Sequence, residues 1–353
     1  MVTLTPEDPP TNPWPFRCAL ALTLVTFPLI WVGGLVTTYD AGMAVPDWPG
    51  TYGYNLFLYP PRTWFAGPWD LFIEHGHRLL GSLSGLLNIA LVLAVFRWDR
   101  RRWMRYYSVG ALAAVILQGL LGGLRVLLDD RTLAMIHGCA GPAFLAICVS
   151  LCVLTSETWQ RLAARAAASP AVGGRRKRLM AHLTSEPELT ASIAGAAYLQ
   201  LVIGALMRHI PVTATPNFFR WTVFAHLAVA GILLSFVVAT AWLSSRGREC
   251  GARGRGLVNV LLVLVVCQVL LGCATWVVNY YWPGWVPDWS ITASYDVIEA
   301  KGWVQAMVVT AHQAMGSLIV GVSVWLMLLA YRRGASESRV SAAGIPLAGG
   351  SPA

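Results

Sequence analysis

Eight long apolar runs dominate the hydrophobic pattern of this chain. Each is about 20 residues long, which is the length a helix needs to cross a hydrocarbon layer of about 30 Å. The runs do not alternate in polarity, as the shorter strands of a membrane β-barrel do. The pattern therefore predicts an all-α integral membrane protein with eight transmembrane helices, at residues 18–38, 77–96, 106–128, 133–155, 189–207, 222–243, 257–279 and 303–331.

Composition and charge agree with this prediction. Of the 353 residues, 56% are hydrophobic and only 12% are charged, which is too apolar for a water-soluble domain of this size. The net charge of +9 is carried by basic segments that follow the even-numbered spans, at 97–105, 175–178, 246–255 and 332–333. That distribution is the positive-inside pattern. We therefore expect cytoplasmic termini and contact with membrane lipid, and no nucleic-acid partner.

The amino terminus and the cysteines narrow the cellular setting. Residues 1–16 are polar and proline-rich, unlike a cleavable signal or transit peptide, which favours a bacterial inner (cell) membrane. Six of the seven cysteines lie in predicted spans, and Cys250 lies in a predicted cytoplasmic loop. We expect neither an exterior disulfide nor a thiolate metal site.

A repeated unit organises the spans. The third, fifth and seventh spans share the phrase QxxxG, at 118–122, 200–204 and 268–272, and each even span carries one histidine near its exterior end. The repetition predicts two pseudo-symmetric four-helix bundles. The expected divisions are a tail at 1–17, an N-terminal half at 18–155, a cytoplasmic linker at 156–188, a C-terminal half at 189–331 and a tail at 332–353.

The four histidines, one in each even span, favour haem ligation. A single buried histidine is as well explained by a hydrogen bond between helices, but four equivalent ones favour a site. Zinc or copper draws on clustered ligands, whereas a bis-histidine haem takes one imidazole from each of two facing helices. The predicted pairs, one haem site in each half, are His77 with His137 and His226 with His312.

Three arginines near exterior helix ends are candidates for contact with haem propionates, namely Arg78, Arg125 and Arg208. Equally, each could reach lipid phosphates or pair with Asp129, Asp130 or Glu74. We expect His75 to be a loop residue or a supporting partner and keep it as a reserve ligand. His209 is expected at the membrane interface, and His182 is assigned no role.

Glu74 is the distinctive residue beside this predicted site. It stands three positions before His77, so its carboxylate shares a helical face with that histidine if the second helix starts one turn earlier. A carboxylate in a first turn is often only a cap. Beside a bound porphyrin it could instead accept protons or stabilise a cationic intermediate.

These residues resemble one family, the haem A synthases, which are eight-helix membrane enzymes that convert haem O to haem A for cytochrome oxidases. The resemblance rests on ExxHR at 74–78, the QxxxG helices, the four histidines and the exterior stretch AGMAVPDW at 41–48. It covers all eight spans.

The resemblance implies a role for each residue. His77 and His137 would hold the substrate haem O, with Glu74 as the catalytic carboxylate, and His226 and His312 would ligate a resident haem B. The implied reaction is stepwise oxidation of a ring methyl through an alcohol to a formyl group, with an electron acceptor. Haem O synthase and cytochrome oxidase assembly factors are the implied protein partners.

The chain departs from the family in two places. Many bacterial members carry a cysteine pair in the first exterior loop, and this chain has none there. Many members also place an arginine after the glycines that end the first helix, where this chain reads Thr37 and Thr38.

Three alternatives remain open from the residues alone. A bis-histidine dihaem cytochrome, acting as a quinone or metal reductase, needs the same four ligands and no Glu74, but it usually places its haems at opposite membrane faces. A haem-binding assembly factor would hand over haem without oxidising it, and the sequence does not separate it from an enzyme. A transporter built from repeats would use the histidines as a proton relay, but its ionisable groups are expected near the membrane midplane.

Overall fold

The computed structural model of the protein describes residues 12–168, 186–211, 213–246, 252–280 and 302–342. This part of the chain is built from α-helices joined by short segments, and it contains no β-strand. In chain order the helices are α1 Trp14–Thr38, α2 Pro61–Phe65, α3 Trp69–Trp98, α4 Arg102–Leu127, α5 Arg131–Thr155, α6 Glu157–Ala168, α7 Glu186–Arg208, α8 Pro216–Ser245, α9 Ala252–Tyr280 and α10 Trp303–Ala342.

Eight of the helices in the described ranges are long and apolar enough to cross a membrane, namely α1, α3, α4, α5 and α7 to α10. Large apolar side chains also remain exposed on their outward faces, with Leu93 66% and Trp221 72% exposed. Such surfaces suit contact with lipid rather than water. The prediction of an all-α, multi-pass membrane protein is confirmed.

The start of the second spanning helix differs from the prediction. Helix α3 begins at Trp69, two turns before His77, with Pro68 at its amino-terminal boundary. The apolar run begins only at His77 because the first two turns carry aromatic and ionisable residues that pack against the preceding loop. Glu74 and His75 therefore lie within the helix, and the expectation that His75 is a loop residue is wrong.

The segment predicted as a linker also contains a helix. Helix α6 occupies 157–168, directly after α5, and it packs against α10. The basic residues 175–178 and His182 lie outside the described residues, as does Cys250.

Each half forms a closed ring of four helices. In the N-terminal half α1 contacts α3, α3 contacts α4, α4 contacts α5, and α5 returns to α1. The C-terminal half repeats this order with α7, α8, α9 and α10. The histidine-bearing helices consequently face each other across the centre of each ring, α3 opposite α5 and α8 opposite α10. The halves meet mainly where α10 packs against α1 and α5.

The outer end of the molecule is the end formed by residues 39–68, and the opposite end is called the inner end. All four histidines lie within the first three turns of helices that start at the outer end. Below them each ring is filled by buried side chains, including Leu22 and Leu91 in the N-terminal half and Val237 and Leu261 in the C-terminal half. These cores fix the helix spacing at the level of the histidines.

Candidate functional site: two facing histidine pairs

The structure brings the four histidines together in the two predicted pairs. The ring centres of His77 and His137 are 6.3 Å apart, and those of His226 and His312 are 6.4 Å apart. A metal between two imidazoles, with metal–nitrogen bonds of about 2 Å and about 1.1 Å from nitrogen to ring centre, gives about 6 Å between ring centres. Both gaps thus fit one metal ion with two axial imidazoles.

A glycine on the neighbouring helix cradles each imidazole. A Cβ atom built on Gly33 would lie 2.8 Å from Cε1 of His77, and one on Gly122 would lie 3.0 Å from Cε1 of His137. In the C-terminal half the corresponding distances are 3.3 Å for Gly204 to His226 and 3.2 Å for Gly272 to His312. Any side chain at these positions would push the ring, which explains why glycine ends the QxxxG phrase.

The same glycines expose a backbone carbonyl to each ring. The carbonyl of the residue one turn before the glycine lies beside the imidazole in all four copies, from Leu29, Gln118, Gln200 and Gln268. The four Nδ1 atoms are buried and have no hydrogen bond of normal geometry within the described part of the chain. Histidines that ligate a metal typically point their other ring nitrogen at such a carbonyl. The arrangement thus suits ligation through Nε2.

The glutamine side chain of the QxxxG phrase packs against the backbone of the histidine-bearing helix. The amide Nε2 of Gln118 donates a hydrogen bond of 2.9 Å to the backbone carbonyl of His137 and lies over Gly141. Gln268 lies over Gly316 in the same way. Helices α5 and α10 therefore supply HxxxG, at 137–141 and 312–316, to meet the QxxxG of α4 and α9. Sequence reasoning missed this second phrase, although the four-residue spacing from His137 and His312 is visible in the sequence.

Glu74 is buried beside only one pair. It is 2% exposed, and its Oε1 accepts a hydrogen bond of 3.0 Å from Nε of Arg78. Its Oε2 lies 3.6 Å from the guanidinium of Arg125 and has no hydrogen bond among the described residues. Three positions before the other histidines stand Ala134, Val223 and Val309. This carboxylate is the main chemical difference between the pairs at this level.

Arg78 donates most of its hydrogen bonds to the outer loop, the segment of residues 39–68. Besides Glu74, its guanidinium donates to the backbone carbonyls of Val45, Asp47 and Gly50 at 2.6 to 2.8 Å. Four of its five N–H groups are thereby engaged. This arrangement favours the alternative in which Arg78 pairs with Glu74, and it anchors the loop over the N-terminal pair.

The loop held by Arg78 is itself ordered by Asp47. The carboxylate of Asp47 accepts hydrogen bonds of 2.8 Å from the backbone N–H groups of Tyr52 and Gly53. Partial burial opposes ionisation, but these N–H groups and the nearby Arg78 hold the pKa of Asp47 below its ordinary value. The indole of the next residue, Trp48, packs onto Gly123 of α4. The stretch that resembles the family is thus the cover of the N-terminal half.

The other two candidates for contact with a propionate are Arg125, which lies near the N-terminal histidine pair, and Arg208, which lies between the halves. Arg125 is one turn beyond Gly122 and is within electrostatic reach of His77 and His137. Arg208 joins the two halves, because its guanidinium donates to the carbonyl of Gly34, at 3.0 Å, and to the side chains of Thr38 and Gln313. A guanidinium from α7 therefore reaches the end of α1, in the stretch where the sequence departs from the pattern that it resembles.

The two remaining histidines in the described ranges are separate from the pairs. His75 is 2% exposed, shares a hydrogen bond of 2.9 Å between its Nδ1 and Oγ1 of Thr51, and packs between the rings of Tyr59 and Trp64. At this position His75 supports the outer loop. No histidine of the described residues faces it, so the structure gives no support to its predicted role as a reserve ligand. His209 follows the last residue of α7.

The donor set fits haem. Within the described ranges, no group of three or more His, Cys, Asp or Glu side chains could surround a metal ion. Two opposed imidazoles supply only the axial positions, so the metal needs a macrocycle for its equatorial ligands. There is also open space beside α3, since a Cβ on Gly81 or Gly85 would meet no atom within 4 Å.

Comparison with known proteins supports the resemblance. The chain is 25% identical to a protein named Heme A synthase from Cereibacter sphaeroides, over 91% of this chain and 88% of that protein. It is 25% identical to a Heme A synthase from Bacillus licheniformis, over 72% of this chain and 83% of that protein. No protein-family model matches the chain. The similarity to haem A synthases noted from the motifs is confirmed by relatives in several species.

Proposed function

We propose that the chain is a haem A synthase that oxidises a ring methyl of haem O to a formyl group. In this proposal His77 and His137 hold the substrate haem O, while His226 and His312 hold a resident haem B. The names of the relatives and the two facing histidine pairs support it. We also propose that the protein lies in a bacterial inner membrane with both termini in the cytoplasm.

The main support for the proposal is that only the N-terminal of the two histidine pairs has a carboxylate, that of Glu74, at this position. Ligation needs only imidazoles, and both halves provide them in the same cradle. Only the N-terminal pair has a buried carboxylate one turn toward the outer end, about 60° around α3 from His77. A carboxylate with one oxygen free of hydrogen bonds is unnecessary for electron transfer and useful for chemistry on a bound substrate.

The protein's own residues perform three tasks in this site. The histidines fix the depth and orientation of each haem, and the loop anchored by Arg78 covers the N-terminal one. Oε2 of Glu74 accepts a proton released near the ring edge, and the Arg125 guanidinium stabilises the charged carboxylate. The haem itself, when bound, supplies the iron chemistry of the oxidation.

The first experiment measures products. The protein is expressed in cells that make haem O, purified in detergent, and its haems are extracted and identified by chromatography and mass. Haem A or its alcohol precursor alongside haem B is the expected result. Haem B with unconverted haem O would refute the proposal and indicate a dihaem cytochrome or an assembly factor.

Variants then separate the roles of the two halves. Glu74→Gln should retain both haems and lose turnover, whereas Val223→Ala, three residues before His226, should keep turnover. His77→Ala should deplete haem O and spare haem B, and His226→Ala should do the reverse. Loss of haem from Glu74→Gln would show that the carboxylate is structural instead.

A further inference from the structure

Two polar side chains in the N-terminal half are buried without partners. Asn88 is 0% exposed, and neither its Oδ1 nor its Nδ2 has a hydrogen bond to any described residue. Ser84, one turn closer to the outer end, is equally buried, and its hydroxyl is also without a partner in the described ranges. Unpaired amide and hydroxyl groups in an apolar interior carry a free-energy penalty unless water satisfies them.

These residues lie directly below the histidine pair. Ser84 and Asn88 follow His77 by seven and eleven residues, so they share its helical face about 10 and 16 Å further inward. Gly81 stands between them and His77, and a Cβ there would meet no atom within 4 Å. Helix α3 is therefore not closely packed at the position between His77 and the two unpaired groups.

Polar groups on the neighbouring helices lie at a similar depth, since Thr26 precedes Gly33 by seven residues and Cys148 follows His137 by eleven. Thr26 of α1 and Cys148 of α5 are both buried, and Oγ1 of Thr26 lies 3.8 Å from Sγ of Cys148. Tyr107 lies within electrostatic reach of Cys148 and shares a hydrogen bond with the hydroxyl of Ser150. Tyr107 and Ser150 line a surface cavity of about 580 Å³ toward the inner end.

The repeat provides an internal comparison. The positions in the C-terminal half that correspond to Thr26, Ser84 and Asn88, counted from the cradle glycine or the histidine, are apolar: Ala197, Leu233 and Val237. Cys148 corresponds to Ser323, which is 0% exposed. At these four positions the N-terminal half thus carries two hydroxyls, an amide and a thiol, whereas the C-terminal half carries three apolar side chains and Ser323, whose hydroxyl is also without a partner among the described residues.

We propose that the N-terminal half holds an internal file of water molecules on Ser84 and Asn88, which connects the level of the His77–His137 pair to the inner end of the bundle. The ligand is water, and the continuation runs past Cys148 to Tyr107 and Ser150. Such a file gives the N-terminal site a route for water and protons that the C-terminal site lacks. The proposal does not depend on which porphyrin is bound.

The thiol of Cys148 is a natural probe of this file. Infrared spectroscopy of the full-length protein in detergent, transferred into D₂O, follows conversion of S–H to S–D, and a Cys148→Ala variant identifies the band. The matched control places a thiol at the corresponding position of the other half, as Ser323→Cys in the Cys148→Ala background. We expect exchange at Cys148 at least about tenfold faster than at the introduced thiol.

Blocking variants assign the water to its residues. Asn88→Leu, which replaces the amide with an apolar group of similar size, should slow exchange at Cys148 to the rate of the control. Ser84→Ala is the milder second variant should the first fail to fold. Exchange at Cys148 that is as slow as in the control, or that is unchanged by both substitutions, would overturn the proposal.

Discussion

Replacing Gly122 with alanine tests whether the glycine cradle sets the position of a histidine. The new Cβ would lie 3.0 Å from Cε1 and 3.4 Å from Nδ1 of His137, and ordinary contact begins at 3.4 Å. The ring must therefore retreat by about 0.4 Å, the difference between 3.4 and 3.0 Å. Ligand distances in metal sites are held to about 0.2 Å, so this retreat is enough to weaken ligation by His137 of a haem bound there.

The size of the effect follows from two opposing terms. Alanine in place of glycine favours the helix by about 1 kcal/mol, and overpacking a tight site costs about 1–3 kcal/mol. The helix term appears equally in Gly119→Ala on the same helix, where the Cβ would meet no atom within 4 Å. Relative to that control, we expect Gly122→Ala to lower haem affinity by about 10- to 100-fold.

The assay is a titration of haem into apoprotein in detergent, followed by the absorption spectrum of low-spin bis-histidine haem. A His226→Ala background confines that signal to the N-terminal pair. The Gly119→Ala control should bind as the parent does. Equal affinity and equal spectra for the two alanine variants would refute the cradle argument.

Three further predictions concern the outer end. Arg78→Gln breaks a buried ion pair and three loop contacts, so we expect about 3–5 kcal/mol of destabilisation and faster protease cleavage within residues 39–68; parental cleavage would contradict this. Arg208→Gln should lower the apparent melting temperature far more than the control variant Arg220→Gln, because Arg208 contacts both α1 and α10 whereas Arg220 is exposed. Equal shifts in the two variants would count against a bridging role for Arg208. Burial and the adjacent Arg208 lower the pKa of His209 to about 4, below its ordinary 6.5, so the unfolded chain binds the proton more readily. Stability should therefore fall as the pH drops from about 6.5 to 4, and melting curves of His209→Asn should show a shallower fall; an unchanged pH dependence would disprove the assignment.

The repeat made much of the architecture predictable. Eight spans and two histidine pairs follow from periodic features, because helix length and a fixed four-residue spacing are local properties of the sequence. The four-residue spacing of Gln118 and Gly122 is likewise a local pattern that is visible in the sequence. The ligand roles of the four histidines remain predictions, which the ring distances support.

The details that escaped prediction depend on distant parts of the chain. From the sequence, Arg78 could equally contact a propionate or pair with Glu74; its further partners are carbonyls about 30 residues earlier, which no local pattern reveals. Arg208 reaches α1 and α10 across the boundary between the halves. The start of α3 was placed too late because its first turns pack against the loop rather than lipid, and hydrophobicity alone does not mark such turns.

The glycine cradle has a consequence for how this architecture can evolve. Each unit positions its imidazole with a glycine and with the backbone carbonyl one turn before it. The position of the imidazole therefore does not depend on which side chains stand at most other positions of the unit. The two halves accordingly differ at such positions, one carrying Glu74 and Asn88 where the other carries Val223 and Val237. Natural selection, or a protein engineer, can then change the chemistry of one compartment without rebuilding its neighbour.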